Sequence, residues 1–106
     1  MQRIYLDNAA TTAIRPEVVD EMANVMKNVF GNPSSTHVFG REAKALIELS
    51  RKNIAQRLNV TPAEIYFTSC GTESNNTIIR SCVNDLDVTR IITTDMEHKC
   101  VQESII

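Results

Sequence analysis

Two stretches of the 106-residue chain carry side chains whose types and spacing could do chemistry. The first is Phe67-Thr68-Ser69-Cys70-Gly71-Thr72-Glu73-Ser74-Asn75-Asn76, where a strand-like run breaks at one glycine and an amphipathic helix begins. A helix N-terminus exposes N–H groups without intrahelical acceptors and the positive end of the peptide dipole. Gly71 lets the backbone come close to a bound group, so the turn suits a phosphate. The competing reading is an ordinary strand-to-helix turn with Thr72 as its N-cap. The second stretch, Thr94-Asp95-Met96-Glu97-His98-Lys99, follows its own apolar run in the same way. With Asp95 as a cap, His98 falls in the first turn of the next helix, where the dipole favours an uncharged ring able to stack or move protons. The alternative for such a histidine is a satisfied structural group. His37, after Phe30-Gly31-Asn32-Pro33-Ser34-Ser35-Thr36, is open to the same choice between a helix cap and a residue at a site mouth.

These stretches need elements to position them. Pro16 suits a first helical turn, and Val18, Met22, Val25, Met26 and Val29 recur at helical spacing, with Glu17, Asp20 and Glu21 near the N-terminal end. Gly31 is predicted to close that helix in a left-handed conformation, and Pro33 blocks its continuation. A second helix carries the stripe Ala43, Leu46, Ile47, Ile54 and Leu58 and stops at Asn59. Thr61-Pro62-Ala63-Glu64 has the form of a capping box. Ile4-Tyr5-Leu6 reads as a short strand or extended entry, Ile65-Tyr66-Phe67-Thr68 and Arg90-Ile91-Ile92-Thr93-Thr94 read as buried strands, and Ile78, Ile79, Cys82 and Val83 mark the helix between these two, ending at Asn84-Asp85. Strand, helix, strand implies a right-handed crossover in a partly parallel sheet, an α/β arrangement with ligands at the carboxyl ends of the strands. Both chemical stretches lie there.

Composition narrows the class. A hydrophobic fraction of 42% is enough for a core, and a formal net charge of -2 with scattered Lys and Arg argues against nucleic acid as a partner. The N-terminus has no signal-peptide pattern and no run is long enough to span a bilayer, so the chain reads as cytoplasmic, without a membrane partner. Cys70, Cys82 and Cys100 are odd in number and widely spaced, which fits reduced thiols. A zinc site from Cys100 and His98 lacks ligands at regular spacing. Asp7-Asn8-Ala9-Ala10-Thr11-Thr12 shows neither periodicity; its small side chains allow close backbone approach, or the run is a solvent loop.

Taken together, Tyr5 to Thr12, Phe30 to Ser35 with His37, Phe67 to Asn76 and Glu97-His98-Lys99 resemble the cysteine desulfurases of the class V aminotransferase group. The resemblance covers the whole chain but only about the first quarter of such an enzyme. It implies a transferase dependent on pyridoxal 5'-phosphate, of fold type I and aspartate-aminotransferase-like, with residues 1–15 as an extended segment of the small domain and residues 16–106 as the beginning of the large cofactor-binding domain. The family converts L-cysteine to alanine and an enzyme persulfide, passed to scaffold or sulfur-carrier proteins for iron–sulfur cluster and other sulfur biosynthesis, and the full-length enzyme would be a homodimer. By position, Gly71 and Thr72 would bind the cofactor phosphate and His98 would stack on its ring and assist proton transfer. Asn8, Ala9, Thr11, Asn32 and His37 would lie on the substrate side. No metal is implied. Cys70 departs from the pattern, since many relatives carry glycine there.

The resemblance also requires a Schiff-base lysine and a persulfide-forming cysteine, and neither matches a position in this chain. Lys99 follows a histidine, but His98 is by register the stacking residue. This segment alone is therefore expected to be inactive. The alternatives are another class V enzyme, such as a selenocysteine lyase or transaminase, and a non-catalytic module that binds phosphate or a partner. Cys100, Val101, Ile105 and Ile106 begin an apolar face that closes without a capping signal, which suggests a truncated chain. The reading frame is expected to continue past Ile106 for roughly two to three domain lengths and to encode a histidine-lysine pair after an apolar strand; sequencing the gene checks this, and a stop codon directly after Ile106 contradicts it.

Overall fold

A computed structural model describes residues 3–105. Its elements are α1 (Pro16–Asn28), α2 (Val38–Leu58), a 3-10 turn (Pro62–Glu64), α3 (Gly71–Asp85) and α4 (Lys99–Ile105). They fall into two compact units, Met1–Glu64 and Ile65–Ile106.

In the first unit, α1 opens with Pro16 at its first position, where a missing N–H costs nothing. The Val29 N–H closes the helix on Val25 O at 2.8 Å. The expectation for Gly31 needs correcting, because no glycine among the described residues has a positive φ. Gly31 is instead a close-approach position: a Cβ there would collide with the Phe39 carbonyl and sit 2.8 Å from Gly40 N. Gly40 is the reciprocal contact, since its Cβ would lie 2.6 Å from Asn32 O and 2.8 Å from Ser35 Cβ. The loop from 31 to 36 is thereby seated on the first turn of α2, and Phe30 stacks on Phe39 with ring centroids 5.3 Å apart. At the other end of α2, Asn59 adopts the left-handed conformation (φ 56°), with its N–H on Gln56 O at 3.3 Å and the Val60 N–H on Ala55 O at 3.0 Å. This is the stop the sequence predicts, made by asparagine in the place glycine usually takes.

The glutamate arm of the capping box at Thr61 is formed, while the Glu64 N–H goes to the Thr61 carbonyl at 3.0 Å rather than to its hydroxyl. Glu64 Oε2 accepts from Thr61 Oγ1 at 2.7 Å and from the Thr61 N–H at 2.8 Å. These bonds, the hydroxyl's first, hold the Glu64 carboxyl below its ordinary value. The 3-10 turn packs back on α2. The predicted apolar stripes are covered only in part. Ala43 and Ala55 are the buried apolar residues among those described, while Met26 and Leu58 remain 77% and 62% exposed.

In the second unit α3 and α4 pack together, and α3 ends at Asp85 as the sequence predicts. Strands were expected at 65–68 and 90–94, with a strand or an extended entry at 4–6, yet the described residues contain no strand and hence no parallel sheet. Tyr66 and Ile92, assigned to buried strands, are 81% and 89% exposed. The reason is that β propensity describes fit to a pleated, half-buried surface, and a strand exists only through a ladder with a neighbour. The connecting helix, whose hydrogen bonds are internal, forms regardless. Ile106, placed by the sequence on the face of the last helix, lies outside the described residues.

Gly40→Ala is expected to lower stability by about 1–3 kcal/mol, because its Cβ meets backbone that cannot yield. Gly71→Ala meets nothing within 4 Å and should leave stability unchanged or slightly raised. Unfolding midpoints of the two variants, measured side by side, check the contrast.

Candidate functional site

The start of α3 is tied to the segment before it by side chains. Glu73 Oε2 accepts from the Ser69 N–H at 2.6 Å and from Ser69 Oγ at 2.7 Å. Thr68 Oγ1 and Ser74 Oγ are 2.7 Å apart, and Ser74 Oγ donates to Cys70 O at 3.3 Å. These are the bonds of a reinforced helix start, with the N3 glutamate reaching back one residue further than in the usual box. The two Ser69 bonds, the hydroxyl's first, hold the Glu73 carboxyl below its ordinary value. The contribution is therefore present above the ordinary carboxylate range and fades as pH falls through the depressed folded value.

The residue at the N-cap position is Cys70, in extended conformation (φ -167°), not Thr72 as the competing sequence reading had it; Gly71 and Thr72 are the first two helical residues. The Cys70 side chain makes no hydrogen bond of cap geometry. The Glu73 N–H nevertheless acts on its thiol, followed by the Ser69 hydroxyl and the Thr72 N–H, and together they draw it below the ordinary thiol range. Beside it, the space into which a Gly71 Cβ would project holds no protein atom within 4 Å. The turn thus combines N–H groups that a helix leaves without intrahelical acceptors, a threonine hydroxyl at the second position and room beside a glycine. That donor set fits a phosphate group, and the same N–H groups of Glu73 and Thr72 are among the causes that lower the Cys70 thiol.

His98 lies in the same unit but not where the sequence put it. Helix α4 begins at Lys99, so His98 precedes it, and its carbonyl accepts the Val101 N–H at 2.8 Å and the Gln102 N–H at 3.3 Å. Asp95, expected to cap this helix with its side chain, instead takes Gln102 Nε2 on its backbone carbonyl at 2.8 Å. The His98 ring turns back on the helix start: the Cys100 N–H donates to Nδ1 at 3.2 Å, and Cys100 Sγ lies 3.0 Å from the same nitrogen. Asn75, on α3, donates from Nδ2 to Cys100 Sγ at 3.1 Å. The unit therefore links the helix behind the Gly71 turn to His98 through two residues, Asn75 and Cys100, to which sequence reasoning gave no such role. Asn75 stood inside the quoted motif, but nothing in a linear pattern pairs it with a position 25 residues away.

The remaining candidates belong to the first unit. The Asn8 to Thr12 run forms a tight turn in which Asp7 O accepts the Ala10 N–H at 3.1 Å and the Thr11 N–H at 3.3 Å. The Thr11 hydroxyl is 2.5 Å from Tyr5 OH. Asn8, Ala9 and Thr11 are exposed. Asn32 Oδ1 accepts the Ser34 N–H at 2.9 Å. His37 is the N-cap of α2, accepting the Gly40 N–H on Nδ1 at 3.4 Å, which is the structural alternative the sequence left open.

Cys70 is exposed while Cys82 and Cys100 are half-buried, and all three are free thiols. Alkylation by iodoacetamide near neutral pH is expected to label Cys70 ahead of the other two, as peptide mapping after short exposure would read. Equal rates at the three positions would contradict the electrostatics described for the turn.

Among known proteins, the model of the aminotransferase class-V family matches residues 4–105. A cysteine desulfurase IscS of Dictyoglomus turgidum is 46% identical over 104 residues, covering 96% of this chain and 26% of that protein. The mitochondrial cysteine desulfurase of Saccharomyces cerevisiae is 43% identical, covering 95% of this chain and 21% of its own length. A selenocysteine lyase of Bos taurus is 44% identical over 82 residues, 77% of this chain and 19% of that protein. A solved structure described as a NifS-like protein superposes with a TM-score of 0.88 at 42% identity, covering 98% of this chain and 29% of its own. The chain spans about a quarter of the length of the curated relatives it matches. With a family match running from residue 4 to residue 105, this chain belongs to the class V aminotransferase family.

Proposed function

We propose that this chain is the N-terminal segment of a cysteine desulfurase dependent on pyridoxal 5'-phosphate. The observation that carries the reading is the donor turn at Gly71 and Thr72, open beside the glycine, in a chain 46% identical to a cysteine desulfurase over nearly all its length. In the whole enzyme the C–S bond of L-cysteine breaks, sulfur passes to an enzyme thiolate as a persulfide, and alanine is left. The persulfide then goes to a scaffold or sulfur-carrier protein for iron–sulfur cluster assembly. A fold type I homodimer in the cytoplasm belongs to the same reading, as does the division into a small-domain segment at 1–15 and a large-domain portion at 16–106. Among the described residues no helix is long and apolar enough to cross a membrane.

The roles of this chain's residues are those the family resemblance implies, and for Gly71, Thr72 and His98 their chemistry suits them. The Gly71 and Thr72 N–H groups and the Thr72 hydroxyl hold the phosphate at the positive end of α3. Bound pyridoxal phosphate supplies an electron sink for the carbon framework of the substrate. His98 stacks on the cofactor ring and holds or moves a proton at Nε2, since Nδ1 is engaged by Cys100. By the resemblance alone, Asn8, Ala9, Thr11, Asn32 and His37 would belong to the substrate side.

In the intact enzyme His98→Ala should keep the cofactor but slow alanine release from L-cysteine by on the order of a hundredfold or more. Thr72→Val removes a hydroxyl donor to a charged phosphate, worth about 1.5–3 kcal/mol, so cofactor occupancy should fall before turnover does. Absorbance of the bound cofactor and alanine release, measured together, separate the two. Normal turnover at full occupancy in His98→Ala would remove the histidine from the mechanism. Turnover of selenocysteine in preference to cysteine would favour the lyase alternative.

A further inference from the structure

The contacts around His98 form an ordered chain of donors. Nδ1 accepts the Cys100 backbone N–H at 3.2 Å, and a ring nitrogen that accepts an N–H carries no proton of its own. Cys100 Sγ lies 3.0 Å from that nitrogen, so of the two atoms the sulfur must supply the proton between them. The sulfur is in turn approached at 3.1 Å by Asn75 Nδ2, a donor, which occupies an acceptor position on the sulfur and leaves the S–H available to the ring. Asn75 and Cys100 are both half-buried, whereas His98 is exposed. The two positioned groups thus face protein, and the ring they hold faces outward. Asn75 is fixed by α3, the helix whose first turn carries Gly71 and Thr72.

We propose that Asn75 and Cys100 are positioning residues for His98, forming a directed relay from the Asn75 amide through the Cys100 thiol to His98 Nδ1 that, together with the Cys100 N–H, fixes the ring's orientation and its Nε2–H tautomer. The inference rests on the functional reading of His98, but the geometry it asserts has its own readout. Because Asn75 sits on α3, the relay also ties the ring to the helix whose first turn carries Gly71 and Thr72. Cys100 therefore has a use in this chain unconnected with nucleophilic sulfur chemistry.

The test uses the intact enzyme, labelled with 15N-histidine and assigned with His98→Gln. In the parent protein the Nδ1 resonance should be that of an unprotonated, hydrogen-bonded nitrogen. Cys100→Ala keeps the backbone N–H on Nδ1 but removes the thiol, so the resonance should shift toward a more weakly hydrogen-bonded acceptor and kcat should fall about fivefold, the effect of one lost hydrogen bond, with KM little changed. Cys100→Ser keeps a donor and should recover most of both. Asn75→Leu should resemble Cys100→Ala, and the double variant should be no worse than either single one, because the two act in one chain. A protonated Nδ1 in the parent protein, or a serine variant as impaired as the alanine variant, would overturn the relay. If the enzyme does not turn over L-cysteine at all, the functional reading fails while the Nδ1 resonance still decides the relay.

Discussion

The start of a helix is a place where backbone chemistry is unfinished, and the second unit of this chain is built around one such place. The first N–H groups of α3 have no carbonyl a turn earlier to receive them. The bonds that fix the preceding segment, Ser69 to Glu73 and Thr68 to Ser74, spend side chains and the Ser69 N–H while leaving those of Gly71 and Thr72 uncommitted to backbone. The turn is thus held rigid by groups other than the ones a ligand would use. Preorganised donors of this kind need no rearrangement when a negative charge arrives, which is the economy that anion sites at helix starts share.

Glycine serves two opposite purposes in the chain. At positions 31 and 40 it is required because protein already occupies the space a side chain would take, and the pair clamps the loop that carries Asn32 onto the start of α2. At position 71 the corresponding space contains no protein atom within reach. The first two glycines explain themselves within the fold. The third has no such packing reason among the described residues.

Helix boundaries were legible in the sequence wherever a local group makes them. Pro16, His37, Asn59, the Thr61 to Glu64 box and Asp85 all mark ends that the structure reproduces, because each acts on backbone within a few residues. The strands were not legible in the same sense: the residue types at 65–68 and 90–94 suit a sheet, but a ladder is a relation between segments, and none forms among the described residues. The failure at Gly31 has a related origin, since composition suggests backbone freedom whereas the structure shows a close contact with Phe39 and Gly40. Of the candidate site, the motif turn was readable and the position of His98 was misjudged by the start of one helix. The pairing of Asn75 with Cys100 has no signature in a linear pattern.

That pairing also orders events in time. The bond from Asn75 spans 25 positions, whereas the bonds that reinforce the start of α3 span four to six and the box at Thr61 spans three. Closing the longer loop costs about 1.6 kcal/mol more entropy than closing one of four residues, by the logarithmic dependence on length. The helix starts can therefore assemble and dissolve on the timescale of local chain motion, well before α3 and α4 meet. The contact that orients His98 is then among the last to be made when this unit folds and among the first to be lost when it opens.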